Sequence, residues 1–364
     1  MSISKLVDNK EVVVCAGSGG VGKTTVSASI AYQAAVQGRK VLVLTVDPAK
    51  RLATTLGLDL SGHSIVKVDT GSEAKGELHA GVIDSKVVFD NFVRRFAKDK
   101  EQIDKLFENS LYQQLSTTLS GSQEFTALEK LFESHVSNQF DLIVLDTPPT
   151  KHALDFLNAP QAISNLFQDS VTRWFMNPDV FKGEGFFGKI FSRGTRTVLK
   201  SLEILTGPDF IDNLISFFEN IRSLQGQLRD RSKAAGKLLK SDKTHFILVT
   251  GFDEAKFEEA KYFREQLKDQ KYQLGGVIIN RAFPEWIDSE DLDYVDSFTN
   301  EKTNRVKDYF ISFQKYYSHR YHVYEDFKLN LKGEVPLYRI PDFNQDIFDL
   351  GGLKSLVEQV KEYE

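Results

Sequence analysis

Two features of this chain predict an α/β fold with a mostly parallel sheet flanked by helices, and a third predicts a helical insertion subdomain. Apolar runs rich in β-branched residues recur at 11–16, 40–45, 141–145, 244–250 and 275–280, and most are followed by a helical pattern. Strands that are apolar on both faces are buried on both, which is the pattern of a parallel sheet wrapped by helices. The first run breaks into a glycine-rich loop and then into a helix expected from Gly22 to about Gln37. Helical pattern also fills the stretches between 83 and 141 and between 151 and 240, each far too long for a simple connection. The expected organisation is a core of residues 1–83, 139–158 and 241–364, and a helical insertion of residues 84–138 and 159–240.

The loop reads Gly17-Ser18-Gly19-Gly20-Val21-Gly22-Lys23-Thr24-Thr25 and satisfies G-x-x-x-x-G-K-[ST] between its strand and its helix. Glycines let consecutive backbone N–H groups turn toward an anion with no Cβ in the way, and the helix aims the positive end of its dipole at the same point. In such a loop Lys23 reaches the β- and γ-phosphates of a nucleotide, and the Thr24 hydroxyl coordinates Mg²⁺. A phosphate loop at a strand-to-helix junction places the chain among the P-loop NTPases.

The second strand run, 40–45, ends in Val46-Asp47-Pro48-Ala49, and the run at 141–145 ends in Asp146-Thr147-Pro148-Pro149-Thr150. Both acids stand at the carboxyl ends of apolar strands, where ligands bind in open parallel sheets. Asp146 has the position of a direct or indirect Mg²⁺ partner, and Asp47 that of an acceptor for the attacking water. Taken alone, either would serve equally well as a helix cap. The phosphate loop upstream is what turns the reading toward chemistry.

Weaker strand candidates lie at 65–68, 79–83 and 335–340. In the first helical stretch Val88, Phe92 and Phe96 fall at i, i+4 and i+8, followed by Ile103, Leu106 and Phe107; in the second, Leu214, Phe217, Phe218, Ile221, Leu224 and Leu228 form a stripe. Residues 177–196 mix Phe181, Phe186, Phe187, Ile190 and Phe191 with Gly183, Gly185, Gly188 and Gly194. Such a segment either changes shape around something apolar or docks its aromatics on the subdomain core. Residues 286–331 read as a long surface helix or a helix pair, and the tail carries an amphipathic pattern at Leu350, Leu353, Leu356, Val357 and Val360.

Composition sets outer limits. The 364 residues, 41% hydrophobic and 27% charged, are enough for a large core, and the net charge of −5 speaks against a nucleic-acid partner. Residues 1–10 are polar, with no apolar segment of a secretion signal, and no run of apolar residues is long enough to span a bilayer, so a cytoplasmic location is expected. Cys15 is the sole cysteine, which removes disulfides and Cys-x-x-Cys metal sites. His319-x-x-His322 has no cysteine beside it, and no transition-metal site is expected.

The glycine loop, the Asp47-Pro48-Ala49 turn and the stretch from Asp146-Thr147-Pro148-Pro149-Thr150 to Leu157 resemble the ArsA family of deviant Walker A ATPases. That family includes the arsenical-pump ATPase and the eukaryotic ATPase that delivers tail-anchored membrane proteins. Asp47-Pro48-Ala49-Lys50-Arg51-Leu52 and Leu119-Ser120-Gly121-Ser122-Gln123-Glu124-Phe125 are similar to a bacterial subgroup of anion-transporting ATPase-like proteins. The resemblance covers essentially the whole chain. It implies an ATPase using ATP and Mg²⁺, with Gly19, Gly20, Val21, Gly22, Lys23, Thr24 and Thr25 as the phosphate loop. Asp47 would polarise water as the switch I acid, and Asp146 would stand near the metal as the switch II acid. Asn280 and Arg281 fall where the family meets the adenine edge and ring, and Pro341, Asp342 and Phe343 where a family loop closes over the base.

Two departures from the family pattern matter. Ser18 stands where the family carries a lysine that reaches across a dimer to the partner's phosphates, and Lys50 or Arg51 is the candidate replacement cation. The cysteines needed for arsenite capture and for an interfacial zinc site are missing, as are the paired cysteines of the nitrogenase iron protein. The leading expectation is a dimeric switch, as a homodimer or with a paralogue. Nucleotide state would open or close a helical groove for a hydrophobic protein client, with a membrane involved only indirectly. The alternatives are the soluble subunit of an anion transporter and a positioning ATPase resembling MinD, which would need a membrane-binding amphipathic tail.

Overall fold

The computed structural model describes residues 3–47, 51–56, 58, 65–72, 74–117, 122–147, 156–159, 208–282, 301–331, 333–343 and 346–363. They fall into two compact units, one of Met1–Ile83, Glu133–Leu154 and Leu238–Glu364, the other of Asp84–Phe132 and Asp155–Lys237.

The larger unit is organised by a sheet of strands β1 (Val12–Gly17), β2 (Lys40–Thr45), β3 (Val66–Val68), β4 (Glu77–Val82), β5 (Leu142–Asp146), β6 (Thr244–Gly251), β7 (Leu274–Ala282), β8 (Leu337–Pro341) and β9 (Lys361–Tyr363). Their spatial order is β3-β4-β2-β5-β1-β6-β7-β8-β9. Every neighbouring pair is parallel except the two at the edges, β3 on β4 and β9 on β8. The carboxyl ends of β1, β2, β5, β6, β7 and β8 therefore line one edge, where a strand series that reverses direction around β1 leaves a ligand crevice. Register fixes its detail: Cys15 and Thr45 both lie level with Asp146.

One face of the sheet is covered by α1 (Lys23–Val36) and by α11 (Leu350–Gln359). Val26, Ala28, Ile30, Ala31, Ala34 and Ala35 are all buried in α1, whose alanines let it lie close against Val13, Val41 and Val144 of the strands beneath. Leu353 and Leu356 of α11 are buried in the same cluster. The amphipathic tail pattern thus serves the core, and its apolar face is not presented as a membrane anchor. On β6 and the two helices α9 (Glu254–Asp269) and α10 (Glu301–Leu331), an aromatic layer forms instead, with Phe257 and Phe327 stacked at 4.8 Å and Phe252 edge-on to Phe257 at 5.8 Å. Full burial of each such ring stabilises by roughly 1.5–3 kcal/mol.

The sequence pattern is matched to within two residues at most strand ends, and three features go beyond it. Among the described residues of the 286–331 stretch, Glu301–Leu331 form a long helix, α10, in keeping with one of the two expected readings, though its last turns are not surface and bury Tyr324, Phe327 and Leu331. The polar-looking start of the chain hides Ile3, Leu6 and Val7, all buried in the α1-side cluster. Arg39 fastens this segment by donating to the carbonyls of Val7, at 2.9 Å, and of Lys10 and Asp141. Strand β9 has no apolar run at all, and it forms because the edge of β8 offers it a ladder.

The smaller unit holds α3 (Ser85–Phe96), α4 (Lys100–Glu108), α5 (Ser110–Thr117), most of α6 (Ser122–Val136), α7 (Pro208–Ile221) and most of α8 (Gln225–Leu239). The two expected stripes meet in one core of Phe92, Val93, Leu106, Tyr112, Phe125, Phe217, Phe218, Ile221, Leu224 and Leu228. One ion pair with little exposure, Glu129 with Arg231 at 2.6 Å, joins α6 to α8, and along α3 a half-exposed Lys86 pairs with Asp90 at 2.6 Å, the latter carboxylate also accepting from Tyr112 Oη at 2.9 Å. The Phe/Gly stretch 177–196 lies outside the described residues, as do Pro48, Ala49, Lys50 and 148–155. Among the described residues no helix is long and apolar enough to cross a membrane.

Candidate functional site

The turn out of β1 is shaped by glycines at three points. Gly17 has φ +156°, and a Cβ there would stand 2.0 Å from the Val249 carbonyl oxygen of β6, so no other residue permits so close a passage. Gly20 and Gly22 are left-handed, at φ +78° and +84°. Gly22 is the N-cap of α1 and offers no side chain to the first turn of N–H groups. Helices α3, α4, α9 and α11 are each capped by an aspartate, Asp84, Asp99, Asp253 and Asp349. A helix start left open beside a glycine turn is an anion site, because its N–H groups and dipole both favour negative charge.

Charged and polar side chains gather beside this loop. Lys23 is buried and its Nζ donates to the Ser18 carbonyl at 2.9 Å, so the ammonium lies folded along the loop; burial holds it below its ordinary pKa, with Asp146 opposing that shift. Asp146 is 2% exposed. Its Oδ2 accepts from Thr24 Oγ1 at 2.7 Å and from Thr45 Oγ1 at 2.8 Å, while Oδ1 is buried with no hydrogen-bond partner among the described residues. Burial pushes this carboxyl up to about 6, against the pull of the two threonines and of Lys23, and Asp47 adds to the rise.

An orphaned carboxylate oxygen beside a threonine hydroxyl is a hard-oxygen site that fits Mg²⁺, which takes one or two carboxylates and completes its octahedron with phosphate and water. The described residues hold no cluster of three His, Cys, Asp or Glu side chains that would cage a metal. Cys15 lies beneath the loop on β1, wholly buried, its thiol pushed up to about 12 by burial, and supplies no thiolate.

Asp47 follows β2 at the rim of the same crevice, its N–H donating to Thr45 Oγ1 at 3.2 Å. Arg51, which opens α2 (Arg51–Leu56), sits 3.5 Å from the Asp47 carboxylate with a side chain 67% exposed. Of the two candidate cations near the loop, it is the one within the described residues. Ser18 is buried, and its hydroxyl has no hydrogen-bond partner.

Strands β7 and β8 bring the remaining candidates together, since parallel neighbours end side by side. Asn280 is level with Gly251 of β6, and Ala282 with Pro341 of β8. Arg281 is left-handed at φ +53°, where the β7 register shifts, and its Nε lies 3.8 Å from Asp342 Oδ1. Both side chains of that pair are 66% exposed. Phe343 leans on the α1-side core. Asn280 does something its position in the sequence does not announce: its Nδ2 donates to the Val21 carbonyl at 2.8 Å, inside the phosphate loop.

Two further polar residues went unread in the sequence. Thr45 orients Asp146, and Thr147 Oγ1 donates to the Cys15 carbonyl at 2.8 Å, tying β5 to β1 just below the loop. Thr45 leaves one trace, as the polar end of an otherwise apolar run Val41-Leu42-Val43-Leu44.

A family model described as anion-transporting ATPase matches residues 10–324. The chain is 24% identical over 308 residues to a putative arsenical pump-driving ATPase 2 of Aquifex aeolicus, covering 82% of this chain and 89% of that protein. It is 22% identical over 359 residues to putative arsenical pump-driving ATPase 1 of the same organism, covering 96% and 78%. With ATPase GET3B of Arabidopsis thaliana it shares 28% identity over 287 residues, 74% of this chain and 63% of that one. A family match across most of the chain, on a parallel sheet whose first turn is an open phosphate loop, makes this protein a member of the ArsA family of ATPases and an ATP hydrolase.

Proposed function

We propose that the protein is a Mg²⁺-dependent, dimeric switch in which ATP binding and hydrolysis control capture of a hydrophobic protein client or partner. The observation that carries the metal-dependent part is the buried, unpartnered Oδ1 of Asp146 beside the Thr24 hydroxyl. Loop N–H groups from Gly19 to Thr25 receive the β- and γ-phosphates, and Lys23 swings from the Ser18 carbonyl onto them. Thr24 and Asp146 would hold Mg²⁺, which would supply neutralisation of the phosphate charge. Asp47, placed at the crevice rim, accepts a hydrogen bond from the water that attacks the γ-phosphorus, releasing ADP and phosphate. Asn280, Arg281, Pro341, Asp342 and Phe343 line the base end. Dimerisation and client capture rest on the family resemblance and on the long helical insertion, in a protein expected in the cytoplasm.

The experiment is light scattering on Asp47→Asn, which is expected to bind ATP but hydrolyse it slowly. With Mg²⁺ and ATP it is expected to gain a dimer fraction that ADP, EDTA or Lys23→Ala abolishes. An unchanged mass under all four conditions sinks the switch.

The second reading, the soluble subunit of an anion transporter, is favoured by the names of the Aquifex relatives. It then has to carry an anion that needs no thiolates, because Cys15 is sealed in the core. The positioning reading loses its anchor with the burial of Leu353 and Leu356.

A further inference from the structure

Asn280 stands on β7, two strands away from β1 across β6, about 10 Å at ordinary strand spacing. Gly251 of β6 is level with it and has no side chain to block the way. The loop overhangs β6, with Val21 Cγ1 3.6 Å from where a Gly251 Cβ would stand, and the Asn280 amide meets it there at two points. Its Nδ2 donates to the Val21 carbonyl at 2.8 Å, and it packs so tightly on Gly22 that a Cβ there would stand 2.4 Å from Nδ2. Because a carbonyl faces it, the nitrogen and not the oxygen of the amide must point into the loop. The next residue, Arg281, is held in the left-handed region at φ +53°, a conformation that costs free energy and persists where the surroundings impose it.

We propose that Asn280 is a positioning residue for the phosphate loop, holding Val21 and the left-handed Gly22 in the shape that grips a triphosphate and joining the base end of the site to its phosphate end. The proposal rests on the nucleotide-binding reading above, and it assigns Asn280 a task that needs no base at all. A side chain that only read a base would be indifferent to inorganic tripolyphosphate; a loop latch is not.

The test uses the full chain with Asn280→Ala and Asn280→Asp, each checked for a wild-type thermal transition. Hydrogen exchange on ligand-free protein reads residues 18–25, and calorimetry reads Mg²⁺-tripolyphosphate and ATP. Removing one partner of a part-buried hydrogen bond is expected to speed exchange in the loop and weaken tripolyphosphate by about tenfold, with ATP following. Asn280→Asp is expected to lose more than Asn280→Ala, since a carboxylate would face the Val21 carbonyl. Loop exchange or tripolyphosphate affinity that stays at wild-type values in both variants overturns the proposal, and a lost preference for ATP over GTP in that case would leave Asn280 as a base reader alone. A wild-type protein that binds neither ATP nor tripolyphosphate instead defeats the nucleotide reading itself.

Discussion

The two ends of the crevice are built to different standards. At the phosphate end Lys23 and Asp146 are nearly sealed from solvent, each with named partners, and Gly17 and Gly22 stand where a Cβ would collide. At the base end Arg281 and Asp342 are 66% exposed and 3.8 Å apart. Charge and hydrogen bonds are worth most where water is excluded, so the same sheet edge offers a tight grip at one end and a loose one at the other. On the proposed reading the contrast would concentrate binding energy on the triphosphate, with the base adding selectivity.

The largest expected effect attacks the tight end directly. Lys23→Ala removes the ammonium seated in the loop and is expected to lower kcat/KM for ATP on the order of a hundredfold to a thousandfold. Steady-state turnover measures it, and a loss under tenfold would mean the loop amides bind the phosphates unaided.

Asp146→Asn comes next and separates stability from catalysis. The Asp146 carboxyl is raised from 3.8 to about 6, so the folded state favours its proton. This group therefore favours folding most below pH 4 and loses that contribution as pH rises through 6, leaving an ionised, buried carboxylate that costs about 3 kcal/mol at most at neutral pH. Asp146→Asn is expected to raise the melting temperature of ligand-free protein at pH 7.5 by a few degrees, with no gain at pH 4. The same variant is expected to lose Mg²⁺-dependent turnover on the order of a hundredfold. In the wild type, Mg²⁺-dependent ATP affinity should fall as pH drops below 6. A variant less stable than wild type at pH 7.5 would show that Asp146 is held by its threonines and not strained by burial.

What the sequence reveals follows the same divide. Gly17, Gly20, Gly22, Lys23 and Thr24 are legible because the loop is local: one turn and its helix impose residue types at fixed spacing. Asp47 and Asp146 are legible as acids that end apolar strands. The bond from Asn280 to Val21, the tie from Thr147 to Cys15 and the docking of Ile3 and Leu6 depend on which strands become neighbours. No spacing rule carries that information. Strand β9 is silent for the same reason, being made by β8 and not by its own residues.

Arg51 tests where the tight end stops. Its guanidinium lies 3.5 Å from Asp47 and 67% exposed, so the ion pair itself adds little to stability. Its charge beside the crevice nonetheless suits the developing negative charge of the γ-phosphate. Arg51→Ala is expected to lower kcat about tenfold while leaving KM and the unfolding midpoint close to wild type. An unchanged kcat would remove Arg51 as the substitute for the missing loop lysine.

The smallest effect belongs to Asp342→Ala. An exposed pair at 3.8 Å is worth about 0–1 kcal/mol in water and is screened by salt. Replacing Asp342 is therefore expected to shift ATP affinity less than about threefold at low ionic strength and not at all at high salt, in calorimetric titrations. A tenfold loss that persists in high salt would require Asp342 to be desolvated when nucleotide is bound. The base end would then close as firmly as the phosphate end, and the asymmetry would be a property of the empty site alone.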